Sequence, residues 1–189
     1  MNAFIQACLD ANKEIYEYLN THISSSDYNY SDTIGVGGDN SLNIDLICED
    51  IFIKHLLSFG NIYSEEKGHI QSDVKNKIII DPLDGSANFQ AGLAYYGTSV
   101  ALEVNDKVIC SVICNLANHS VIYKFRDENI MEIDLLTKKK VSNLRENSTN
   151  LAIFERAYSY PNIAKTLEKH SVKFRSPGVV AISKAEARN

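Results

Sequence analysis

The 189-residue sequence lacks the features that mark secreted, membrane-spanning and nucleic-acid-binding proteins. Its first residues show no basic start followed by an uninterrupted apolar stretch, so no secretory signal is expected. No apolar run approaches the roughly 18 residues that a membrane helix needs. The formal net charge is −5, and the single cationic run, three lysines at 138–140, is interpreted as a solvated turn. Neither nucleic acid nor a membrane is therefore expected as a partner.

Cysteine is also scarce, and its spacing excludes the common metal and redox motifs. The four cysteines form no C-x-x-C pair and no cluster with histidine: Cys8, Cys48, Cys110 and Cys114. Each lies inside a segment with periodic apolar residues. We therefore predict reduced, small core residues in a cytoplasmic protein.

The whole chain has 44% hydrophobic and 23% charged residues, which is ordinary for a globular protein. Two helices are predicted in its first third. Apolar residues at helical spacing from Phe4 to Leu19 predict an amphipathic first helix. The Ser-, Gly-, Asp- and Asn-rich segment 24–40 is interpreted as a flexible loop. A second helix follows, with Ser41 or Asn43 as its cap, and it projects Asp45 and Glu49 from one side.

The remaining two thirds of the sequence favour strands. Alternating or continuous apolar runs between turn-forming residues predict strands over 61–64, 77–80, 97–104, 108–115, 121–125, 131–135 and 151–158. A helix over 161–170, a strand over 172–174 and an apolar helix over 179–187 complete the prediction.

The segment Asp81-Pro82-Leu83-Asp84-Gly85-Ser86 is the first candidate site. A buried strand delivers Asp81 to its end, and Asp84 follows three residues later. Two carboxylates so close repel each other unless a cation lies between them, and hard oxygen ligands select Mg²⁺ or Mn²⁺. Gly85 allows the backbone to approach a ligand, and N–H groups at Ser86 could accept a phosphate. The same residues are also good turn formers, so this segment alone leaves both interpretations open.

A second acidic pair, Glu65-Glu66, follows the strand predicted over 61–64. If that strand neighbours the one ending at Asp81, four carboxylates meet in one corner. Such a cluster is costly to bury unless divalent ions neutralise it, whereas bound ions make it suited to phosphoryl transfer. The combination favours a metal site over a turn.

These motifs resemble those of the inositol monophosphatase and fructose-1,6-bisphosphatase superfamily. The family's Glu-Glu pair and D-P-[IL]-D-G-[ST]-x-N-F pattern are matched by Glu65-Glu66 and by DPLDGSANF at 81–89. Asp39 and Asp45 keep the family's six-residue separation, and FRSPGVVA at 174–181 extends the similarity. The resemblance implies a layered α/β fold, an αβαβα sandwich with a mostly antiparallel sheet. It also divides the chain into a metal- and phosphate-binding domain over 1–147 and part of a second α/β domain over 148–189.

The resemblance assigns a role to each matching residue. Glu65, Asp81 and the Leu83 carbonyl would hold a first Mg²⁺, and Asp81 and Asp84 a second. Glu66 would assist a third ion, and Mn²⁺ could substitute. Asp84 and the N–H groups of Gly85 and Ser86 would bind the phosphate. The catalytic residues would be Glu65, Asp45 and Ser86, the last two orienting a metal-activated water for in-line attack.

By the same resemblance, the protein would be a lithium-sensitive phosphatase of inositol monophosphate or fructose 1,6-bisphosphate, and a homodimer. A nucleotide 3′-phosphatase acting on 3′-phosphoadenosine 5′-phosphate is the alternative within enzymes. Two departures concern the loop. Ile34 and Leu42 stand where the family often has Lys and Thr, and the run GVGGD at 35–39 is similar to the glycine-rich loop of the archaeal-type dual phosphatases, which leaves the specificity open. A third concerns the C-terminal side, because the chain ends before the family's later Asp ligand. An inactive remnant with a binding role is therefore a further alternative.

Overall fold

A computed structural model describes residues 2–36, 38, 40–141 and 151–187. It contains five α-helices and eleven strands within those ranges. The helices are α1 (Ala3–Thr21), α2 (Asn43–Leu56), α3 (Ser86–Gln90), α4 (Pro161–Lys169) and α5 (Val180–Glu186). The strands are β1 (Tyr30–Ile34), β2 (Asn40–Leu42), β3 (Asn61–Ser64), β4 (Gly68–Ile70), β5 (Lys77–Asp84), β6 (Gly97–Val104), β7 (Lys107–Asn115), β8 (Ser120–Phe125), β9 (Met131–Asp134), β10 (Leu151–Ile153) and β11 (Lys173–Arg175).

Seven strands form the central sheet in the order β4-β3-β5-β6-β7-β8-β9. All neighbours are antiparallel except β3 and β5, which run parallel. The strands from β6 to β9 are joined in sequence by short turns, which is the arrangement that the alternating apolar pattern predicts. The prediction of a mixed α/β fold with a mostly antiparallel sheet is confirmed.

The first two helices cover one face of this sheet. Their buried residues join those of β3, β5, β6 and β7 in one hydrophobic core, in which α1 supplies Phe4, Cys8, Ala11, Ile15 and Leu19, as the helical spacing predicts. All four cysteines are buried and unbonded, so the prediction of small core residues is confirmed. Burial raises the pKa of each of these thiols.

The C-terminal elements form a smaller unit. Strands β10 and β11 pair in parallel, and α4 connects them. Helix α5 then returns to the central sheet, where Ile182 lies against Gly97 on β6. The predicted domain boundary at residue 147 falls outside the described residues, so the division into two domains stays a prediction.

Several boundaries differ from the sequence predictions. The segment predicted as a loop over 24–40 contains strand β1, and its last residue begins β2, which pairs antiparallel with β1. Strand β4 was not predicted, and the strand predicted over 151–158 ends at Ile153. The cap of α2 is Leu42, and neither Ser41 nor Asn43 occupies that position. Among the helices that the structure describes, none combines the length and the apolar character of a membrane span.

Candidate active site

A polar cavity of about 170 Å³ lies where β3 and β5 end, beside the first turn of α2. Every site residue predicted from the sequence lines this cavity: Asp45, Glu65, Glu66, Asp81, Leu83, Asp84, Gly85 and Ser86. Its wall also includes Gly35, Asn40 and Ser41, which were not predicted as site residues. Asp39 lies outside the described residues.

The parallel pairing of β3 with β5 explains why two separate acidic motifs meet. Ser64 on β3 lies opposite Ile80 on β5, so the next residues, Glu65 and Asp81, come out at the same edge of the sheet. Neighbouring parallel strands end at one edge, where open sheets place their ligands. Sheet register therefore brings together two carboxylates that lie 16 positions apart in the sequence.

The strand predicted to end at Ile80 continues to Asp84. Its pairing with β6 is irregular between Asp81 and Asp84, which lets both carboxylates face the cavity. Gly85 then adopts φ 88° and ψ 34° and caps α3, whose first residue is Ser86. A Cβ atom on Gly85 would lie 2.5 Å from Cγ2 of Val179, so both conformation and space require glycine here.

Asp45 is buried at the start of α2 and uses only one of its carboxylate oxygens. Oδ2 accepts the Leu42 N–H at 2.9 Å and so caps the helix. Oδ1 is buried and has no hydrogen-bond partner among the described residues. Burial, followed by the negative charges of Glu66 and Glu65, raises the pKa of Asp45 to about 7. This carboxylate is therefore held where a cation would stabilise its charged form.

The two aspartates of β5, Asp81 and Asp84, are likewise held where their charged forms are disfavoured. Burial, and then the charges of Asp84 and Glu65, raise the pKa of Asp81 to about 8. Burial also raises the pKa of Asp84, to which the charge of Glu155 adds, although the Ala181 N–H opposes this shift. Carboxylates that raise each other's pKa in a shared cavity have the arrangement expected of a cation-binding site, because a bound cation would stabilise their charged forms.

The donor set fits a hard divalent cation, which the fold family implies. Within the described ranges, no three His, Cys, Asp or Glu side chains form a group that could hold an ion by themselves. Mg²⁺ does not require one, because it keeps several waters and is usually bound through one or two carboxylates. The unpartnered Oδ1 of Asp45, the paired charges of β5 and the Leu83 carbonyl meet that requirement.

The hairpin β1–β2 docks on the acidic turn that follows β3. The Val36 N–H donates to the Glu65 carbonyl at 2.8 Å, and the Ser41 hydroxyl donates to the Glu66 carboxylate. The sequence did not predict these contacts, because it showed only a run of small polar residues. The hairpin therefore forms one wall of the cavity and holds the backbone of the acidic pair.

The segment before α5 packs against the turn from β5 to α3, which lines the cavity. The Asn88 side chain donates to the carbonyls of Tyr95 and Pro177, at 2.8 and 2.7 Å. Glu155 accepts the Gly178 N–H at 2.8 Å and the Ser183 hydroxyl at 2.6 Å. These bonds fix the residues 177–183 beside Gly85, so the FRSPGVVA motif and the DPLDGSANF motif meet in space.

A larger groove, of about 860 Å³, lies between α4 and β11. It contains none of the residues predicted for catalysis, and aliphatic and aromatic side chains make up much of its lining. Because the groove includes no residue of either acidic motif, the smaller polar cavity is the candidate active site.

Comparison with known proteins gives the same picture. The model of the inositol monophosphatase family matches residues 5–186. The fructose-1,6-bisphosphatase/inositol-1-monophosphatase of Thermococcus kodakarensis is 35% identical over 98 residues, which are 51% of this chain and 35% of that protein. The inositol-1-monophosphatase of Mesorhizobium japonicum is 29% identical over 62% of this chain and 44% of its own length. The aligned regions thus span less than half of these curated relatives.

Solved structures share the fold. A crystal structure of an inositol monophosphatase–fructose 1,6-bisphosphatase superimposes with a TM-score of 0.78 at 22% identity, covering 97% of this chain and 71% of that one. The extragenic suppressor protein SuhB of Bartonella henselae gives 0.69 at 23% identity, covering 98% and 72%. Because the family model spans nearly all of the sequence and the fold agrees, this chain belongs to the inositol monophosphatase family.

Proposed function

We propose that this protein hydrolyses a small phosphate monoester of the inositol monophosphate or fructose 1,6-bisphosphate type, with Mg²⁺ as its cofactor. The observation that carries the proposal is the convergence of the two acidic motifs on one polar cavity. The relatives named above are phosphatases of these two substrates, which supports the same reaction class here.

Glu65, Asp81, Asp84 and the Leu83 carbonyl are the proposed ligands of two Mg²⁺ ions, with Glu66 assisting a third. When bound, the ions would stabilise charge on the phosphate and on the leaving alkoxide. The protein's own part is to hold its carboxylates together in a buried cavity, where burial, followed by the neighbouring negative charges, raises the pKa of Asp45 and Asp81. Burial also places these carboxylates in a region of low dielectric constant, where they would attract a cation more strongly than in water.

The phosphate is proposed to lie at the turn from β5 to α3. Gly85 and Ser86 line the cavity, and peptide N–H groups at this left-handed turn would bind the phosphate oxygens. The Ser86 hydroxyl and the free oxygen of Asp45 would hold the attacking water in line with the ester bond. Glu65 would accept its proton.

The test is release of inorganic phosphate by this chain with Mg²⁺ or Mn²⁺ and without either. The substrates are inositol 1-phosphate, fructose 1,6-bisphosphate and 3′-phosphoadenosine 5′-phosphate. Release that requires metal, falls to background in Asp81→Asn and persists in Asp134→Asn would support the proposal. Asp134 is a fair control because it lies on β9, at the far edge of the sheet.

The three substrates also distinguish the proposed phosphatase from a nucleotide phosphatase and from a protein with only a binding role. Release from 3′-phosphoadenosine 5′-phosphate alone would favour a nucleotide phosphatase. Mg²⁺ binding without release from any substrate would favour a binding role, and absence of both would refute the proposal. Lithium sensitivity, a homodimer and a cytoplasmic location stay predictions, which inhibition by Li⁺, the native mass and cell fractionation would test.

A further inference from the structure

Glu49 is a fully buried carboxylate that the proposed reaction does not use. It lies one helical turn after Asp45 on α2, and its exposed fraction is 0%. Glutamate is almost never so deeply buried unless it is paired. Its partners therefore indicate what the side chain holds in place.

Both oxygens of Glu49 are directed at Lys67. Oε1 accepts the backbone N–H of Lys67 at 2.8 Å. Oε2 lies 3.6 Å from the Lys67 ammonium and has no hydrogen-bond partner among the described residues. The Lys67 ammonium also bonds the carboxylate of Asp50, the next residue of α2. Lys67 is thus held at its backbone and at the end of its side chain by the same helix.

Lys67 directly follows the acidic pair in the turn between β3 and β4. The Glu65 carbonyl of that turn is held by Val36, and the Glu66 carboxylate by Ser41. The contacts of Lys67 with Glu49 and Asp50 tie the turn to the helix carrying Asp45, and the Glu49 contact is the one that holds the backbone of Lys67. A bond from the Lys67 N–H to α2 therefore limits how far Glu65 and Glu66 can move relative to Asp45.

We propose that Glu49 is a positioning residue that fixes the distance between Asp45 and the Glu65-Glu66 pair and so sets the affinity for the divalent cation. The proposal rests on the proposed function, because it requires that Glu65 and Glu66 bind metal. Residues that contact the metal ligands hold them in place, and replacing such residues commonly lowers metal affinity about 10- to 100-fold.

The experiment measures Mg²⁺ binding to this chain by calorimetry, together with thermal unfolding without metal. Three variants dissect the contact. Glu49→Ala removes both interactions, Glu49→Gln keeps an acceptor for the Lys67 N–H, and Lys67→Met keeps that N–H but removes the ammonium. Asp134→Asn is the matched control, because it removes a hydrogen-bonded carboxylate at the opposite edge of the sheet.

Glu49→Ala is expected to raise the Mg²⁺ dissociation constant by about tenfold or more. Glu49→Gln and Lys67→Met should each raise it by less, because each keeps part of the contact. Asp134→Asn should lower the melting temperature and leave the dissociation constant within about twofold. Hydrogen exchange at the Lys67 amide should accelerate in Glu49→Ala and change less in Glu49→Gln.

A dissociation constant in Glu49→Ala equal to that of the unaltered chain would overturn the inference, even if the melting temperature falls. Should Glu49→Ala not fold, unchanged affinity in both Glu49→Gln and Lys67→Met would do so. Absence of Mg²⁺ binding by the unaltered chain would refute the proposed function and this inference together, and so differs from both results.

Discussion

The Asp84 carboxylate accepts a hydrogen bond from the Ala181 N–H at 2.8 Å, across 97 positions of sequence. Asp84 belongs to the strand that carries the acidic motif, whereas Ala181 lies in the first turn of α5. The contact joins the proposed metal site to the helix that follows the segment packed against Gly85. One carboxylate thus has two tasks, as a proposed ligand and as an anchor for α5.

Replacing Asp84 by asparagine should separate these tasks. The amide oxygen can still accept the Ala181 N–H, so the fold should persist, but the negative charge is lost. Mg²⁺ affinity should fall at least about tenfold, and most of any phosphate release should disappear with it. Since repulsion and burial raise the pKa of Asp84, removing the charge should not lower the free energy of unfolding without metal.

Asp84→Ala provides the comparison, because alanine cannot accept the hydrogen bond. Its free energy of unfolding should lie about 1 kcal/mol below that of Asp84→Asn. Calorimetric titration and urea unfolding measure the two quantities. Unchanged Mg²⁺ affinity or turnover in Asp84→Asn would refute the assignment of this residue as a ligand.

Gly85→Ala should destabilise the protein more than the left-handed backbone alone explains. An alanine at φ 88° costs about 1–2 kcal/mol, and its Cβ would overlap Cγ2 of Val179, which adds about 1–3 kcal/mol of overpacking. Gly92→Ala is the matched control, because Gly92 has φ 72° with no atom within 4 Å of the added Cβ.

Urea unfolding of both variants isolates the contact with Val179. The double variant Gly85→Ala/Val179→Ala should recover part of the loss, because the smaller side chain removes the overlap. Equal losses in Gly85→Ala and Gly92→Ala would contradict a close approach of the 177–183 segment to the proposed phosphate site.

The central sheet could be predicted well from the sequence because its strands carry strong local signals. Residues 97–104 and 61–64 match β6 and β3 without error, since both are bounded by turn-forming residues. The meeting of Glu65 with Asp81 is different. It depends on the parallel pairing of β3 with β5, which no local pattern encodes, and the resemblance to a family supplied it instead.

The β1–β2 hairpin could not be predicted, because its stability comes from tertiary contacts. Its residues between Tyr30 and Leu42 are mostly small or polar, a composition typical of loops. The prediction of Ser41 or Asn43 as the cap of α2 was wrong for a related reason. The Ser41 hydroxyl bonds Glu66, and Asp45 satisfies the Leu42 N–H in its place. Ser41 thus contacts a residue distant in the sequence and does not cap the helix that it precedes.

The buried pair of Asn12 and Thr98 should make a large contribution to stability. The Thr98 hydroxyl donates to Oδ1 of Asn12 at 2.6 Å, and the Asn12 amide donates to the Cys8 carbonyl at 2.8 Å. Thr98→Val keeps the shape but leaves a buried acceptor without its donor. The free energy of unfolding should fall by about 1–3 kcal/mol.

A double-mutant cycle tests this contact, because Asn12→Leu/Thr98→Val removes both polar partners. Its loss should be smaller than the sum of the two single losses. Additive losses, measured by urea unfolding, would show that the two side chains do not interact in solution.

The stability of the protein should also depend on pH through Asp27, a buried residue of the turn before β1. Burial opposes its charge, but the Ser24 N–H and the Tyr18 hydroxyl each donate to Oδ2 at 2.9 Å, and the net effect lowers the pKa of Asp27. A carboxyl whose pKa is lower in the folded state stabilises the protein above its unfolded pKa, about 3.9. This contribution is lost as the pH falls through the folded pKa.

The destabilisation caused by Asp27→Asn should therefore be constant above about pH 5 and shrink as the pH falls below about 3.9. Urea unfolding of both proteins between pH 2.5 and 7 measures the difference. Tyr18→Phe removes one of the two donors, so its difference from the unaltered protein should shrink over the same range but be smaller. A difference between Asp27→Asn and the unaltered protein that stays constant to the lowest pH would show that the Asp27 carboxylate gains nothing from these two donors on folding.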